Sequence, residues 1–240
     1  MSEWFEDWFD EDYIVLYAHR DATEATQAVA TALKAAPSLA SGPVLDLGCG
    51  SGRHLMELRQ TNPEAFGLDL SPALLRRSPK ALRGHLLRGD MRMIPLKEGR
   101  LSGVCMWFTP FGYFDDGANR QLMSNIRRLL RPGGTLLLDF MNARMVRDQL
   151  VPEDVVERRG LRVRSRRSIE GACVVKRMRI ERLATGETRE VTESVRIYEP
   201  DELIEMASEC GLTAFRALGD YAGSPFCDRV SARWIGLFHL

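Results

Sequence analysis

Pro43-Val44-Leu45-Asp46-Leu47-Gly48-Cys49-Gly50-Ser51-Gly52-Arg53 is the stretch whose reading decides the fold. Val44, Leu45 and Leu47 form a short apolar run, the mark of a strand buried in a parallel sheet. Gly48, Gly50 and Gly52 follow. Three glycines in five residues carry a conformational-entropy cost that a plain turn does not need, and they let bare backbone approach a ligand. His54, Leu55, Met56, Glu57 and Leu58 then resume with helical spacing. Strand, glycine turn and helix N-terminus, in that order, make a seat for a nucleotide-like ligand carrying negative charge.

Two classes of protein use such a seat. A dinucleotide fingerprint wants Gly-x-Gly-x-x-Gly. Here the third glycine, Gly52, comes one place early and Arg53 holds the last position, which speaks against a nicotinamide oxidoreductase. An acid, Asp46, also stands two places before the first glycine. This Asp-x-Gly-x-Gly-x-Gly pattern resembles motif I of the class I S-adenosylmethionine-dependent methyltransferases. The resemblance implies an α/β fold: a doubly wound, Rossmann-like sheet of seven strands with the last strand antiparallel. It also implies S-adenosylmethionine as cofactor, with Asp46 and the loop of Gly48, Cys49, Gly50, Ser51 and Gly52 at its methionine part.

Residues 64–69 read as a second buried strand ending in Asp69, followed by Leu70. Such folds place a ribose-binding carboxylate about 20 residues past the glycines, and an ionised carboxylate can accept from both ribose hydroxyls. Ser71 and Pro72 supply an N-cap and a first helical residue. Residues 85–88 are a third strand. After it the family places an acid that accepts from the adenine amino group and a neighbour that packs on the ring, here Asp90 and Met91. Residues 101–107 read as the fourth strand, emerging at the aromatic loop 107–114. Ligands bind outside the carboxyl ends of strands where strand order reverses, and the resemblance puts the first and fourth strands at that point. Trp107, Phe108, Thr109, Pro110, Phe111, Gly112, Tyr113 and Phe114 are therefore expected to border the transferring methyl and the acceptor, with about half of the loop's rings serving as packing. A glycine-kinked aromatic loop suits an apolar or planar small molecule. Residues 115–131 are an amphipathic helix, Arg131-Pro132-Gly133-Gly134 stops it, and residues 135–140 form the fifth strand, another family resemblance. Asn142 and Arg144 are expected on the acceptor side.

The rest of the chain reads less directly. In the N-terminal segment, Trp4 with Trp8 and Phe5 with Phe9 fall at i,i+4 between acids, which describes a helix with an aromatic stripe and a solvated acidic face. Residues 1–36 are read as a cap or lid over the cofactor. Arg20 would pair with the cofactor's carboxylate and the face of Tyr13 would meet its sulfonium. A general base is needed only if the acceptor arrives protonated, and His19, Tyr17 and Tyr113 are its candidates. The cofactor-binding core is assigned to residues 37–150 and 199–240. Residues 151–198 break the pattern: 162–166, 172–180 and 189–197 look like three strands of an antiparallel β insert, with turns at Gly171 and at Thr185-Gly186. Its many arginines have Glu181, Glu187, Glu190 and Glu193 on neighbouring strands, so paired, solvated faces explain them better than nucleic acid does. In related enzymes such an insert covers the acceptor or makes a homodimer contact. A helix over 200–211 and strands at 212–218 and 231–239 follow.

Composition narrows the function. The formal net charge is zero, so no global field attracts nucleic acid or membrane. No apolar run approaches the roughly 20 residues that span a bilayer, and the acidic N-terminus lacks the basic start of a secretory signal. The five cysteines are odd in number and scattered, which supports neither a disulfide framework nor a metal site and fits a cytoplasmic protein. The expected activity is methyl transfer from S-adenosylmethionine to a nitrogen or oxygen of a small-molecule acceptor by in-line displacement. The alternatives are a nucleic-acid methyltransferase or a cofactor-binding interaction protein without catalysis. Against the first, Phe108-Thr109-Pro110-Phe111 stands where amino-directed base methylation has an Asn/Asp-Pro-Pro-Tyr motif. Against the second, the strand-end acids are intact.

Overall fold

The computed structural model describes residues 3–18 and 22–240. α1 (Trp4–Trp8), α2 (Glu11–Leu16) and α3 (Ala22–Ala35) lead into β1 (Val44–Leu47) and α4 (Arg53–Thr61). Then come β2 (Phe66–Asp69), α5 (Pro72–Arg76), β3 (Leu86–Arg88), β4 (Leu101–Met106), α6 (Asp116–Leu129), β5 (Leu130–Met141) and α7 (Ala143–Asp148). An antiparallel run follows: β6 (Glu153–Arg158), β7 (Leu161–Glu170), β8 (Cys173–Arg182) and β9 (Thr188–Arg196). The last elements are α8 (Pro200–Glu209), β10 (Thr213–Leu218) and β11 (Arg233–His239).

The main sheet has the order β10-β11-β5-β4-β1-β2-β3. Its pairs among β1 to β5 are parallel, and β11 is antiparallel to both β5 and β10. This is the expected seven-stranded doubly wound sheet. Strand order reverses between β4 and β1, which opens a crevice at their carboxyl ends. Helices cover both faces, so β1 is buried throughout. On one face Leu45, Leu47 and Leu138 pack with Leu122 and Ile126 of α6 and Leu203 of α8. On the other, Val44, Cys105 and Leu137 pack with Val29 and Ala32 of α3 and Leu55 of α4. Burying such a leucine contributes roughly 1.5–3 kcal/mol, and burial from two sides is what a parallel sheet requires.

Three stretches differ from the sequence reading. The aromatic N-terminus forms two short helices, not one. Asp10 breaks it by accepting from the amides of Asp12 and Tyr13 (2.9 and 3.3 Å), an N-cap that starts α2 anew. The break divides the aromatic stripe: Phe5 joins the main core, whereas the fully buried Trp8 packs with Val163, Met178 and Val191 of the second sheet. Nor is the acidic face simply solvated. Asp10 pairs with Arg189, and the buried Asp12 pairs with Arg182. Second, that sheet has four strands, β6-β7-β8-β9, where three were expected. The additional β6 joins β7 through Arg159 (φ +47°) and Gly160 (φ +82°), a two-residue left-handed turn in which an arginine gives no turn signal. Third, β5 begins at Leu130 and takes in Arg131, Pro132, Gly133 and Gly134. The β4–β5 register shifts between Leu101 and Gly103, so this stretch is an irregular strand start and not a separate stop.

Among the described residues no helix is long and apolar enough to cross a membrane, and no group of three or more metal-ligating side chains is clustered.

Candidate active site

A cavity of about 310 Å³ opens at the carboxyl ends of β1, β2 and β4. The glycine turn forms part of its wall. Gly48 (φ +76°) lies against Pro110, where an added Cβ would come within 3.0 Å of the proline Cβ. The amides of this turn are used inside the protein. Gly48 and Cys49 donate to the Leu68 carbonyl (2.8 and 3.1 Å), and Gly52 donates to the Cys49 carbonyl (2.9 Å). Gly50 donates to Asp69 Oδ2 at 2.7 Å. The turn therefore offers close approach to a ligand, while the seat for negative charge expected from the sequence is not built from these amides.

Asp69 ends β2, and its Oδ1 accepts from the Ser71 amide at 2.8 Å. Both carboxylate oxygens are pinned, and each keeps a further acceptor site. Burial pushes its pKa up against the pull of the Ser71 and Gly50 amides. Asp90 is gripped by Arg92, with Nε 2.9 and 3.1 Å from its oxygens and Nη2 at 2.6 Å. Desolvation raises the Asp90 pKa, but the bonds from Arg92 outweigh it and hold the carboxyl below its usual range. Asp90 stays an ionised acceptor.

Asp46 lies beneath the turn at 1% exposure. Burial first, and then the charge of Asp69, push its pKa up to about 8, with Arg53 and the Leu55 amide offsetting part of the rise. Asp46 Oδ2, His54 Nε2 and Trp107 Nε1 are buried without a partner. The His54 and Trp107 rings stack with centroids 4.9 Å apart. Burial, then Arg53 and Arg233, push the His54 pKa well below its ordinary value, so the imidazole is neutral. A buried polar atom left unpaired costs about 1–3 kcal/mol, and two of these residues, His54 and Trp107, line the cavity, which fits a site shaped for a polar ligand. Arg53 reaches Glu24 at 2.5 Å and lies over the Phe108 ring, 5.3 Å from its centroid.

A second, more open cavity of about 530 Å³ adjoins the first. Phe9, Tyr13, Tyr17, Phe108 and Tyr113 line both. The far wall comes from the inner face of the second sheet, with Asp154, Arg167, Val174, Glu193 and Val195. Arg167 pairs with Asp154 at 2.9 Å. Glu193 Oε1 accepts from Trp8 Nε1 (2.5 Å) and from the Tyr17 hydroxyl (3.2 Å), and Lys176 Nζ donates to the Tyr17 oxygen at 2.8 Å. Phe108 and Thr109, at the throat, hold left-handed backbone (φ +62° and +65°).

The structure brings most of the sequence-derived residues together. Gly48, Cys49, Gly50, Ser51, Asp69, Leu70, Asp90, Met91, Trp107 and Tyr13 line the first cavity, with Tyr17 and Tyr113 shared between the two. Asp46 sits below the wall, and Gly52 (φ +83°) precedes α4 and turns toward Leu82. His19 and Arg20 lie outside the described residues. Asn142 and Arg144 face neither cavity. Asn142 caps α7 and donates to the carbonyls of Asp228 and Ser231 (2.8 and 2.7 Å), and Arg144 pairs with Asp228 and Asp148. Sequence reading missed Arg53, His54, Leu74 and Arg77 in the first cavity and Asp154, Arg167, Glu193 and Arg233 in the second. A signal for three of them existed: period-two alternation puts Asp154, Arg167 and Glu193 on the same sheet face as Val163 and Met178.

Sheet order, glycine turn and strand-end acids are together those of the Rossmann-like methyltransferase fold. Residues 44–134 match the family model described as a methyltransferase domain. The chain is 33% identical over 123 residues to a dTDP-4-amino-2,3,4,6-tetradeoxy-D-glucose N,N-dimethyltransferase of Saccharopolyspora spinosa, covering 50% of this chain and 46% of that protein. It is 34% identical over 112 residues to a 23S rRNA (guanine(748)-N(1))-methyltransferase of Streptomyces fradiae, covering 45% and 36%. The chain spans about half the length of the curated relatives it matches. The fold is also that of S-adenosylmethionine-bound CalS10, an amino pentose methyltransferase of Micromonospora echinaspora (TM-score 0.69, 22% identity, 95% of this chain and 96% of that one).

Proposed function

We propose that this chain transfers the methyl group of S-adenosylmethionine, by in-line displacement, to a nitrogen or oxygen nucleophile of a small-molecule acceptor. The observation that carries this reading is the meeting of two cavities at one aromatic throat, formed by Phe9, Tyr13, Tyr17, Phe108 and Tyr113. When bound, the cofactor supplies an electrophilic methyl on a sulfonium. The protein contributes orientation, which can supply roughly 7–11 kcal/mol of a bimolecular barrier. Asp69 accepts from the ribose hydroxyls. Asp90 accepts from the adenine amino group while Met91 packs on the ring. The glycine turn admits the methionine portion, beside the unpaired atoms of Asp46, His54 and Trp107. An acceptor in the second cavity is held between aromatic rings on one side and Asp154, Arg167 and Glu193 on the other. Apolar faces against rings, with hydroxyls and an amine against charged planar groups, suit a sugar-like amine, the class of acceptor named for two of the similar proteins. For an acceptor that arrives protonated, Tyr17 is the base best placed, because its hydroxyl is already bonded toward Glu193.

In this reading residues 1–36 act as a lid and residues 151–198 as an insert that closes the acceptor side of the core. A homodimer contact through the insert's outer face belongs to the same reading; a purely monomeric sedimentation profile would remove it. The test of function is calorimetric titration with S-adenosylmethionine, S-adenosylhomocysteine and NAD, then release of S-adenosylhomocysteine with a panel of aminosugar nucleotides. Binding of the two adenosyl compounds alone, followed by turnover with an amine, supports the proposal. Binding of none by folded protein overturns it.

A further inference from the structure

We infer that Asp139, Arg233 and Tyr221 form a buried brace that positions the Phe108–Thr109 throat between the two cavities. The three residues come from separate elements. Asp139 lies near the end of β5, Arg233 opens β11, and Tyr221 belongs to the loop before it. Asp139 is fully buried, and its side-chain bonds go to the Phe108 amide, Tyr221 and Arg233. Its Oδ2 accepts from the Phe108 amide at 2.7 Å and from the Tyr221 hydroxyl at 2.5 Å. Its backbone carbonyl accepts from the Thr109 amide at 2.9 Å. Arg233 bonds Asp139 through Nε, donates to Thr109 Oγ1 at 2.8 Å, and lies over the Phe108 ring 4.7 Å from its centroid. Two consecutive non-glycine residues in left-handed backbone are strained, and such strain persists only where the surroundings over-determine it. Here both strained amides and both side chains are held by the same network. Phe108 lines both cavities, so its placement sets where cofactor and acceptor meet. The brace works through Phe108 and Thr109; these are positioning residues, and the assignment rests on the methyl-transfer reading above.

Removing one charge would strand the other in the interior, so the test variant removes both: Asp139→Leu with Arg233→Met. A buried ion pair replaced by apolar groups is often neutral for stability, so this variant is expected to fold with a melting temperature near that of the wild type. It is also expected to lose at least tenfold in S-adenosylhomocysteine affinity, and its Phe108 and Thr109 amides should exchange with deuterium at least a hundredfold faster while those of Leu137 and Leu138 keep their protection. Tyr221→Phe, which removes one hydroxyl only, should show the same pattern weakly and supplies the reading if the double variant does not fold. Unchanged affinity and unchanged exchange at Phe108 and Thr109 would overturn the brace, as would a loss of protection spread evenly over β5. If the wild type itself fails to bind S-adenosylhomocysteine, the methyl-transfer reading falls, and the exchange measurement alone then judges the brace.

Discussion

Asp69 and Asp46 stand 23 residues apart in a chain of 240, lie at or next to the ends of adjacent parallel strands, and differ in how they are held. Asp69 is held by two backbone amides and faces the cavity, so it can accept from a ligand at once. Asp69→Ala should therefore weaken S-adenosylhomocysteine binding more than 100-fold by titration calorimetry, since two bonds to a carboxylate contribute roughly 1.5–3 kcal/mol each. Unchanged affinity in a variant with a native circular dichroism spectrum would sink the ribose role. Asp46 instead holds a proton that water would remove. Its folded pKa of about 8 stands above the ordinary 3.8. Between those values the folded state binds a proton that the unfolded state releases, so this group's stabilisation is complete below about pH 4 and is lost as pH rises toward 8. Asp46→Asn does not titrate. The melting temperature of the variant minus that of the wild type should thus climb from pH 5 to pH 8 in ligand-free protein, reflecting on the order of a few kcal/mol. A difference that stays flat over that range would show that Asp46 is ionised in the fold.

At the scale of elements, legibility followed the density of local signals. β1 and β2 were readable because each is a short apolar run ended by glycine or an acid, β4 because it is an apolar run that emerges at an aromatic loop, and the last strand's place in the sheet came from the family resemblance. β6 was not readable: Glu153, Val155 and Glu157 are exposed on an edge strand, and its turn carries an arginine where glycine or asparagine would announce a hairpin. The N-terminal break was hidden for another reason. Asp10 looked like one acid among several, and only its bonds to the Asp12 and Tyr13 amides make it a cap. The β6–β7 turn yields a direct prediction. A non-glycine residue in left-handed backbone costs roughly 1–2 kcal/mol, and Arg159 holds φ +47°. Arg159→Gly should relieve that strain, partly offset by the greater freedom of glycine in the unfolded chain. The net expectation is a gain of about 0.5–1 kcal/mol, read as a rise of a few degrees in the thermal midpoint. A lower midpoint would mean that the Arg159 side chain makes contacts worth more than the strain.

At the scale of the whole molecule, the fold and much of the first cavity's lining were legible, whereas the second cavity was not. The first cavity is built by short motifs that each carry their own chemistry. The second is assembled from residues distant in sequence, such as Tyr17 with Glu193, and no local pattern announces such a meeting. The same long-range pairing decides how the arginines of the second sheet are to be understood. Arg162 pairs with Glu157 and Glu181, Arg166 with Glu153, and Arg177 with Glu170. Arg182 and Arg189 tie the sheet to Asp12 and Asp10. These charges are answered within the chain, and the formal net charge is zero. A protein that neutralises six to ten phosphates loses roughly 10³–10⁵ in affinity between 50 and 200 mM salt. This one should behave differently. Fluorescence anisotropy with labelled 23S rRNA fragments should show no saturable binding up to about 100 μM protein near physiological salt, the weak end of ordinary non-specific affinity. Over the same salt range S-adenosylhomocysteine affinity should change by less than about threefold, because the carboxylates expected to hold it are partly or fully buried and screened less than surface charges. Saturable rRNA binding with a steep salt slope would favour a nucleic-acid base over a small molecule as the acceptor. It would also make the second sheet's outer face, rather than the second cavity, the surface that selects the substrate.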